Sequence, residues 1–305
     1  MIPYHTLEES KNALGRNLTF AETVWFNYSA KKSDFVLHCH NTLFLCLFYS
    51  IAPIPFALIE LSGCKKFAPI PFALIELSGC KKLNKYKIQP SVKRTFLEMF
   101  KCYKYVIKTF IIAVGPLQIV SYPFIKWLGI RTSLPLPSKW ELFWQLLVYF
   151  LIEDYASYWI HRMLHCKWGY ENIHKVHHEY KTPIGFAGPY VHLFELWSFG
   201  IPALLGPILV PGHIVTFWLW FILRQLEAID THSGYEFPWS FTKYIPFYGG
   251  PTYHDYHHSA GGTSQGNFAS VFTYCDYIYG TQKGYQYKKR IYENMSPSNT
   301  FNKVE

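Results

Sequence analysis

The most informative stretch of the chain is residues 141–165, which read ELFWQLLVYFLIEDYASYWIHRMLH. About twenty largely apolar residues run without proline or glycine into two histidines, His161 and His165. A run of this length and composition predicts a helix that can enter or cross a bilayer. The two histidines are four residues apart, so they share one face of that helix. The stretch therefore predicts a helix with an apolar body and a histidine pair at its end.

Two acids interrupt the apolar run, and one of them is in helical register with the histidines. Asp154 lies seven residues before His161, which is about two turns of helix. Burying a carboxylate in so apolar a run is costly, and this favours a functional reason for it. We therefore expect Asp154 to support the histidine pair by holding an imidazole through its second ring nitrogen. The alternative is that Asp154 and Glu153 cap the helix or pair with a basic residue such as Arg162.

Histidines recur in two further clusters with similar spacing. The chain contains 14 histidines, and eight of them fall into the motifs HRMLH, HKVHH and HDYHH. On a helix each motif is expected to project its imidazoles in one direction. An isolated histidine is usually an ordinary polar or core residue, but three clusters in one chain are typical of a metal centre. The eight candidate ligands are His161, His165, His174, His177, His178, His254, His257 and His258.

The number of imidazoles predicts two metal ions. Eight nitrogens exceed the roughly four to six ligands of one ion, and imidazole suits iron, zinc, copper and nickel alike. His192 and His232 compete for ligand status, and including both would give ten nitrogens, five for each ion. Either could instead be a hydrogen-bonded core histidine. The remaining histidines lie outside the clusters and are not expected to bind metal: His5, His38, His40 and His213.

Further apolar blocks extend the helical interpretation to most of the chain. They cover residues 35–61, 105–130 and 193–229. The last block is expected to form a helical hairpin of 193–210 and 213–229, because proline and glycine interrupt it between these ranges. No alternating pattern typical of a membrane β-barrel occurs. The sequence thus predicts an all-α integral membrane protein, with about four spanning or hairpin helices and a cytosolic helical cap that holds the dimetal centre.

The first part of the chain contains a polar segment and a duplication. Residues 1–34 are polar and predict a short helix and an N-terminal tail, so a single catalytic domain is expected over residues 35–305. Within it, APIPFALIELSGCKK occurs at 52–66 and again, letter for letter, at 68–82. A structural repeat drifts in sequence, and solenoids need at least about three units. We therefore interpret residues 67–82 as an insert duplicated from 51–66, or as an error in the gene model, without a function.

The composition fits a protein that lies partly in lipid. Half of the residues are hydrophobic, 19% are aromatic, and the formal net charge is +9. Basic residues stand beside the apolar blocks, as at 81–108 and 283–290, which is typical of the cytosolic side of a membrane. They do not alternate with aromatic residues as in a nucleic-acid groove, so no nucleic-acid partner is expected. The seven cysteines form no CxxC pair and indicate a reducing or membrane setting.

The boxes HxxxH, HxxHH and HxxHH resemble those of the fatty acid hydroxylase superfamily of membrane di-iron enzymes. The sequence around them resembles one family more closely, the sterol 4α-methyl oxidases or methylsterol monooxygenases. This resemblance is carried by EDYASYWIHRMLHCKWGYENIHKVHHEYKTPIGF, THSGYEFPWS, YIPFYGG and NFASVFTYCDYIYGT. The segments ALGRNLTFAETVWFNYSAKKSDF and KYKIQP are similar to its plant type-one branch. The duplicated insert departs from the family, whose members have one copy.

The resemblance implies a multi-pass enzyme of the endoplasmic reticulum membrane with its active site on the cytosolic side. With two iron ions it would oxidise the 4α-methyl group of a 4,4-dimethyl sterol, such as 24-methylenecycloartanol, through alcohol and aldehyde to a carboxylate. Electrons would come from NADH through cytochrome b5 and its reductase, and a separate decarboxylating dehydrogenase would remove the carbon. The sequence itself contains no dinucleotide fingerprint and no haem or flavin motif, which favours an external donor.

Other classes stay open at the level of the sequence. A metal transporter or metal-binding membrane protein would place its site near the bilayer midplane, on broken helices. The second and third histidine clusters instead lie in polar sequence. A desaturase or hydroxylase of another lipid would use the same di-iron centre and differ in where it holds its substrate. A zinc hydrolase would need fewer histidines.

Overall fold

The computed structural model describes residues 4–62, 80–260 and 266–286. Within these ranges the chain is helical, and its only β-contacts are isolated bridges such as that between Lys87 and Tyr235. The all-helical prediction is confirmed. Most of the duplicated insert lies outside the described residues, so the interpretation of residues 67–82 stays a prediction.

Twelve α-helices have defined bounds in the described ranges, and residues 283–286 are also helical. The first six are α1 (Leu7–Leu14), α2 (Phe20–Ser29), α3 (Asp34–Ile51), α4 (Ile54–Ser62), α5 (Phe96–Thr109) and α6 (Gly115–Trp127). The other six are α7 (Lys139–Leu164), α8 (Lys167–Asn172), α9 (Leu193–Leu209), α10 (Ile214–Thr231), α11 (Gly250–Ser259) and α12 (Tyr274–Ile278). Short 3-10 helices cover Cys80–Tyr86, His174–Glu179 and Phe241–Tyr244, and a π-helical turn, Phe110–Val114, joins α5 to α6.

Two stretches are long and apolar enough to cross a membrane, judged by length and composition. Asp34–Leu61 contains α3 and most of α4, and its most apolar window of 18 residues has a mean hydropathy of 2.1. Phe96–Trp127 contains α5 and α6, and its most apolar window of 18 residues has a mean hydropathy of 1.4. A shorter apolar helix is α9. The two long stretches correspond to the blocks predicted at 35–61 and 105–130.

The predicted hairpin over residues 193–229 is present. α9 ends at Leu209 and α10 begins at Ile214, on either side of Pro211 and Gly212. A Cβ atom at Gly212 would lie 2.6 Å from the side-chain oxygen of Gln145. That amide is the end of a flexible side chain, so the turn is explained by Pro211, which cannot continue a helix. Both predicted halves of the hairpin are confirmed as helices.

The chain divides into two compact units. Unit 1 comprises Met1–Ala52, Tyr103–Glu153 and Trp197–Leu226. Unit 2 comprises Pro53–Cys102, Asp154–Leu196 and Glu227–Glu305. The expectation of one catalytic domain over residues 35–305 stays a prediction.

The N-terminal segment contains two helices, whereas the sequence predicts one short helix and a tail. Residues 7–29 contain α1 and α2, and a capping box opens each helix, Thr6 with Glu9 and Thr19 with Glu22. A capping box satisfies backbone N–H groups at a helix start, which allows a polar sequence to form a helix. Trp25 and Phe26 of α2 are buried in the core of unit 1. The segment is therefore structural as well as polar.

Unit 2 contains all three histidine boxes, and one side chain ties two of them together. Gln89 Nε2 donates to Asp255 Oδ1 at 2.9 Å and to the Lys181 carbonyl at 3.2 Å. Its oxygen accepts from the Thr182 hydroxyl at 2.9 Å. Asp255 lies within the third box, and residues 181–182 follow the second. Gln89 belongs to the segment KYKIQP, so a side chain from the first third of the chain fixes two later segments.

Candidate metal centre

The first histidine pair lies at the C-terminal end of α7. His161 is in the last turn of the helix, and His165 follows it directly, its backbone N–H donating to the His161 carbonyl at 3.1 Å. The helical spacing places the two rings on one side, with centroids 5.0 Å apart. The predicted pair at the end of the apolar helix is present.

The second and third boxes each point in two directions, whereas one direction was predicted. The second box lies in the 3-10 helix His174–Glu179, where adjacent residues are about 120° apart. The third lies on α11, where adjacent residues are about 100° apart. The neighbours His177 and His178 therefore diverge, and so do His257 and His258. Two adjacent histidines cannot share one face of a helix, so the prediction of a single direction is wrong for these two boxes.

The three boxes converge on two neighbouring groups of imidazole nitrogens. In each group the candidate ligand atoms lie within 4.8 Å of one another. Opposite ligands of one ion, at bonds of about 2.1 Å, are about 4.2 Å apart, so each group has the dimensions of a single metal site. The five-histidine group comprises His161, His165, His174, His178 and His257. The four-histidine group comprises His177, His232, His254 and His258.

The Nε2 atoms face one another within each group. In the five-histidine group, His174 Nε2 lies 3.1 Å from Nε2 of both His161 and His178. In the four-histidine group, His254 Nε2 lies 2.9 Å from His232 Nε2. The two groups are also in contact, since the rings of His178 and His258 stack with centroids 4.5 Å apart.

The other ring nitrogen is held by oxygen in five of these histidines. Carbonyl oxygens can only accept, so an Nδ1 bonded to one carries the proton, and Nε2 then carries a lone pair. This is the usual state of a metal-binding histidine. Four of the contacts are to backbone carbonyls: His161 with Phe268 O (2.8 Å), His257 with Gly266 O (2.9 Å), His177 with Tyr190 O (3.3 Å) and His232 with Ala228 O (2.8 Å). The fifth is to a carboxyl group, His174 with Glu195 Oε1 (2.8 Å).

These residues fit two cations. Lone pairs that face each other at about 3 Å repel unless a cation lies between them. Burial lowers the pKa of His232 to about 4 and holds the pKa values of His254 and His258 well below their usual range. The rings are therefore neutral at neutral pH, in the form that binds metal. The donor set is nitrogen throughout, as transition metals of the iron-to-zinc series accept.

The structure separates the two histidines that the sequence left open. His232 belongs to the four-histidine group, together with members of the second and third boxes. His192 belongs to neither group, and its Nδ1 accepts from the backbone N–H of Phe194 at 3.2 Å. His213 is buried in unit 1, where Nε2 meets the Ser133 carbonyl at 3.2 Å. The geometry thus favours nine nitrogens, distributed five and four, in place of ten.

Asp154 is fully buried and holds the backbone that follows the third box. Its Oδ1 accepts from the backbone N–H groups of Val271 and Phe272, at 2.8 and 3.0 Å. These bonds explain why a carboxylate is tolerated in the apolar run. The expectation that Asp154 itself orients an imidazole stays a prediction.

Glu195 is a candidate site residue that the sequence analysis missed. Its side chain is 1% exposed, and Oε1 lies 2.8 Å from His174 Nδ1. A carboxylate that accepts from a ligand histidine fixes the ring and raises the basicity of its other nitrogen. The sequence does contain a signal for Glu195, which is an acid within the apolar sequence of α9, just as Asp154 is an acid within the apolar sequence of α7.

Comparison with known proteins defines the class of this centre. The family model described as fatty acid hydroxylase matches residues 146–281, a range that includes all nine grouped histidines. Together with the histidine groups, this family indicates an iron centre. No solved structure matches the chain.

The relatives cover nearly the whole chain. It is 60% identical to methylsterol monooxygenase 1-2 of Arabidopsis thaliana, over 97% of this chain and 94% of that protein. It is 58% identical to methylsterol monooxygenase 1-1 of the same plant, over 98% and 95%. It is also 55% identical to the very-long-chain aldehyde decarbonylase GL1-10 of Oryza sativa subsp. japonica, over 97% and 93%. The chain belongs to the methylsterol monooxygenase family of fatty acid hydroxylases.

Proposed function

We propose that this protein is the sterol C4-methyl monooxygenase of a sterol biosynthetic route. It oxidises the 4α-methyl group of a 4,4-dimethyl sterol, such as 24-methylenecycloartanol, through alcohol and aldehyde to a carboxylate. Membership of the methylsterol monooxygenase family makes it an oxidoreductase of the monooxygenase class. The observation that carries the proposal is the pair of histidine groups, found in a chain related over nearly its full length to methylsterol monooxygenases.

Two iron ions are the proposed cofactors, one for each histidine group. When bound, they supply the redox chemistry by which O2 attacks an unactivated C–H bond, which acid–base groups alone cannot do at neutral pH. The chain supplies neutral Nε2 ligands and keeps water away, since all nine rings are at most 8% exposed. It also fixes ring direction through the oxygen atoms bonded to Nδ1. His192 is not included among the ligands.

An external protein is the proposed electron source. Each oxidation of the methyl group requires one O2 and two electrons, and the sequence has no nucleotide, haem or flavin motif. We propose cytochrome b5, reduced from NADH by its reductase, as the donor, and a decarboxylating dehydrogenase as the enzyme that takes the carboxylate. A basic segment at residues 283–290 would suit an acidic donor. Lys283 is exposed, whereas residues 287–290 lie outside the described residues.

The proposed location is the endoplasmic reticulum membrane, with a multi-pass chain and the histidine groups on the cytosolic side. The two apolar stretches long enough to span support attachment to a membrane. A site at the membrane surface would receive a sterol sideways from the bilayer. Cytosolic orientation would also let a soluble domain of the electron donor reach the centre.

Complementation tests the function directly. The chain is expressed in a yeast strain that lacks its own sterol C4-methyl oxidase, and sterols are profiled. Expected results are loss of the accumulated 4,4-dimethyl sterol and, in microsomes with NADH and O2, formation of the 4α-carboxy sterol. Antibody against cytochrome b5 should slow the reaction, and so should an iron chelator, whereas carbon monoxide should not. Turnover by purified protein with NADH alone would contradict the external donor.

Two histidine variants serve as matched controls for that assay. The double variant His177→Ala with His257→Ala removes one ligand from each group and is expected to lower activity by at least about 100-fold. His5→Ala changes an exposed histidine outside the groups and should leave activity unchanged. Retained iron and activity in the double variant would count against the ligand assignment.

The rice relative favours one second candidate, the loss of the carbonyl carbon from a very-long-chain aldehyde. The same microsomes are incubated with such an aldehyde, and hydrocarbon products are measured. Hydrocarbon formation without any change in the sterol profile would replace the sterol proposal with this one. Metal uptake into cells, measured in parallel, would identify a transporter instead.

A further inference from the structure

Two ligand histidines of the five-histidine group depend on one short segment of backbone. The segment, residues 266–273, directly precedes α12 and contains no helix. His257 Nδ1 donates to the Gly266 carbonyl at 2.9 Å, and His161 Nδ1 donates to the Phe268 carbonyl at 2.8 Å. The directions of these two carbonyls therefore set the directions of rings from the third and first boxes.

A peptide unit is planar, so its carbonyl cannot turn without its N–H. In the peptide group between Phe268 and Ala269, the carbonyl oxygen accepts from His161 Nδ1. The N–H of the same group, on Ala269, donates to Asp276 Oδ2 at 2.8 Å. Asp276 Oδ1 accepts from Phe268 N at 3.0 Å. The carboxylate and the imidazole thus hold opposite sides of one rigid peptide.

The peptide two positions earlier is also held on both sides, with Asp276 acting on it through Thr281. In the peptide group between Gly266 and Asn267, the carbonyl oxygen accepts from His257 Nδ1, and the N–H donates to the Thr281 carbonyl at 3.0 Å. Thr281 is bound to Asp276 twice, through its hydroxyl on Oδ1 and through its N–H on the Asp276 carbonyl at 2.8 Å. A Cβ atom at Gly266 would overlap the Thr281 carbonyl oxygen, so only glycine permits this approach.

Asp276 is also well satisfied, as a buried carboxylate must be. It has no exposed surface, and a fourth donor, the Tyr253 hydroxyl, lies 2.9 Å from Oδ2. Tyr253 immediately precedes His254 of the four-histidine group. Hydrogen bonds in such a chain polarise one another, so the charge on Asp276 strengthens the bond between Phe268 and His161.

We infer that Asp276 is a positioning residue for the metal centre, acting on His161 through the planar peptide between Phe268 and Ala269. This inference rests on the proposed function only in that the five-histidine group binds metal. The negative charge matters as well as the shape, since a carboxylate makes shorter and stronger bonds to N–H groups than an amide does. Removal of the charge loosens the His161 ring and makes its Nε2 a weaker donor to the ion.

The test uses Asp276→Asn in the full chain, purified in detergent and loaded with Fe(II) or Co(II). The expected result is a metal affinity about 10–100-fold lower at one of the two sites, with unchanged helical content. The visible absorption of bound Co(II) should shift, because one ligand field changes. A folded variant with the parent's affinity and Co(II) spectrum would overturn the inference.

Two further variants separate positioning from general stability. Glu22→Gln removes another buried, hydrogen-bonded carboxylate, in unit 1, and should lower thermal stability without moving the Co(II) spectrum. If Asp276→Asn does not fold, Thr281→Val removes a single donor to the same carboxylate and should shift the spectrum in the same direction by less. A Co(II) spectrum of Thr281→Val identical to the parent's would contradict the inference.

The metal readouts also separate this inference from the proposed function. A parent protein that binds two ions but leaves sterols unchanged would refute the sterol activity and leave the role of Asp276 intact. A parent protein that oxidises the sterol while Asp276→Asn keeps its spectrum would refute the role of Asp276 alone. A parent protein that binds no iron or cobalt would overturn both.

Discussion

The protonation of single rings determines what the histidine groups can bind. A buried imidazole whose Nδ1 meets a carbonyl has only Nε2 available as a ligand, and it directs that atom along a fixed line. His232 illustrates the point, since its Nδ1 lies 2.8 Å from the Ala228 carbonyl one turn earlier on α10. His192 instead accepts a backbone N–H, which uses the lone pair that a metal would need.

Replacement of His232 and of His192 by alanine should therefore have different effects. His232→Ala removes one of four nitrogens from its group, and we expect the metal content to fall from about two ions per chain toward about one. His192→Ala should have the same metal content as the parent protein. Elemental analysis of the purified proteins measures this directly. Equal metal loss in both variants would support the ten-ligand arrangement that the sequence left open.

Glu195→Gln tests the carboxylate behind His174. An amide oxygen accepts the Nδ1 proton less strongly than a carboxylate, so the ring is held less firmly and is less basic. We expect metal affinity to fall about 10–100-fold, measured by competition with a chelator. Glu171→Gln, at an exposed position, is the control and should have the parent's affinity. An unchanged affinity in Glu195→Gln would show that the contact does not support the ligand.

Acid should destabilise the metal-free protein. Burial lowers the pKa of His232 from 6.5 to about 4, so the unfolded chain binds the proton more readily than the folded chain. This contribution to the free energy of unfolding is complete above pH of about 6.5 and is lost as the pH falls through about 4. The other buried histidines of both groups also have lowered pKa values, so they add to the loss of stability in acid. Thermal unfolding of chelator-treated protein should occur at lower temperature at pH 5 than at pH 7.5, and a reversed order would contradict the assignment.

Two helices of unit 1 pack closely at a glycine of the hairpin. A Cβ atom at Gly206 of α9 would lie 2.7 Å from Tyr149 Cδ1 and 2.8 Å from Tyr149 Cα on α7. The Cα belongs to the backbone, so the side chain cannot simply turn away. The Tyr149 hydroxyl also donates to the Val210 carbonyl at 2.6 Å, which fixes this contact within unit 1.

Two alanine substitutions on α9 should therefore change the free energy of unfolding in opposite directions. Gly206→Ala should lower the free energy of unfolding by about 1–3 kcal/mol, because α7 and α9 must move apart. Gly200→Ala has open space around its Cβ and should raise it by up to about 1 kcal/mol, since alanine favours the helix. Thermal unfolding in detergent compares the two. Equal stability of both variants would show that α9 can shift to accommodate the methyl group.

The duplication concerns the chain as a whole. Deletion of residues 67–82 leaves one copy of the repeated segment, followed by Leu83, as expected for a family member without the insert. We expect complementation of the yeast strain to be equal or better, because the copy is identical in sequence and adds no chemistry to the histidine groups. Lost activity at an unchanged protein level would show that the second copy has a role.

The sequence by itself determined the helical class, the hairpin at 193–229 and the three histidine boxes of the centre. Each of these is a local pattern: apolar length, a proline–glycine interruption, or histidines three and four residues apart. Local patterns are readable because helix geometry relates near neighbours in a fixed way. The family resemblance rested on the same contiguous segments.

Only the tertiary structure decided which histidines act together. His177 Nε2 meets His232 Nε2 at 3.3 Å across 55 positions of sequence, and His161 is bonded to a carbonyl 107 positions away. Glu195 acquires its role in the same manner, from a histidine 21 positions earlier that no local period relates to it. Such contacts depend on how separate helices and loops pack, and the free energy that selects them comes from burying those groups together. For that reason the boxes could be predicted from the sequence, whereas the five-and-four grouping and its supporting oxygens could not.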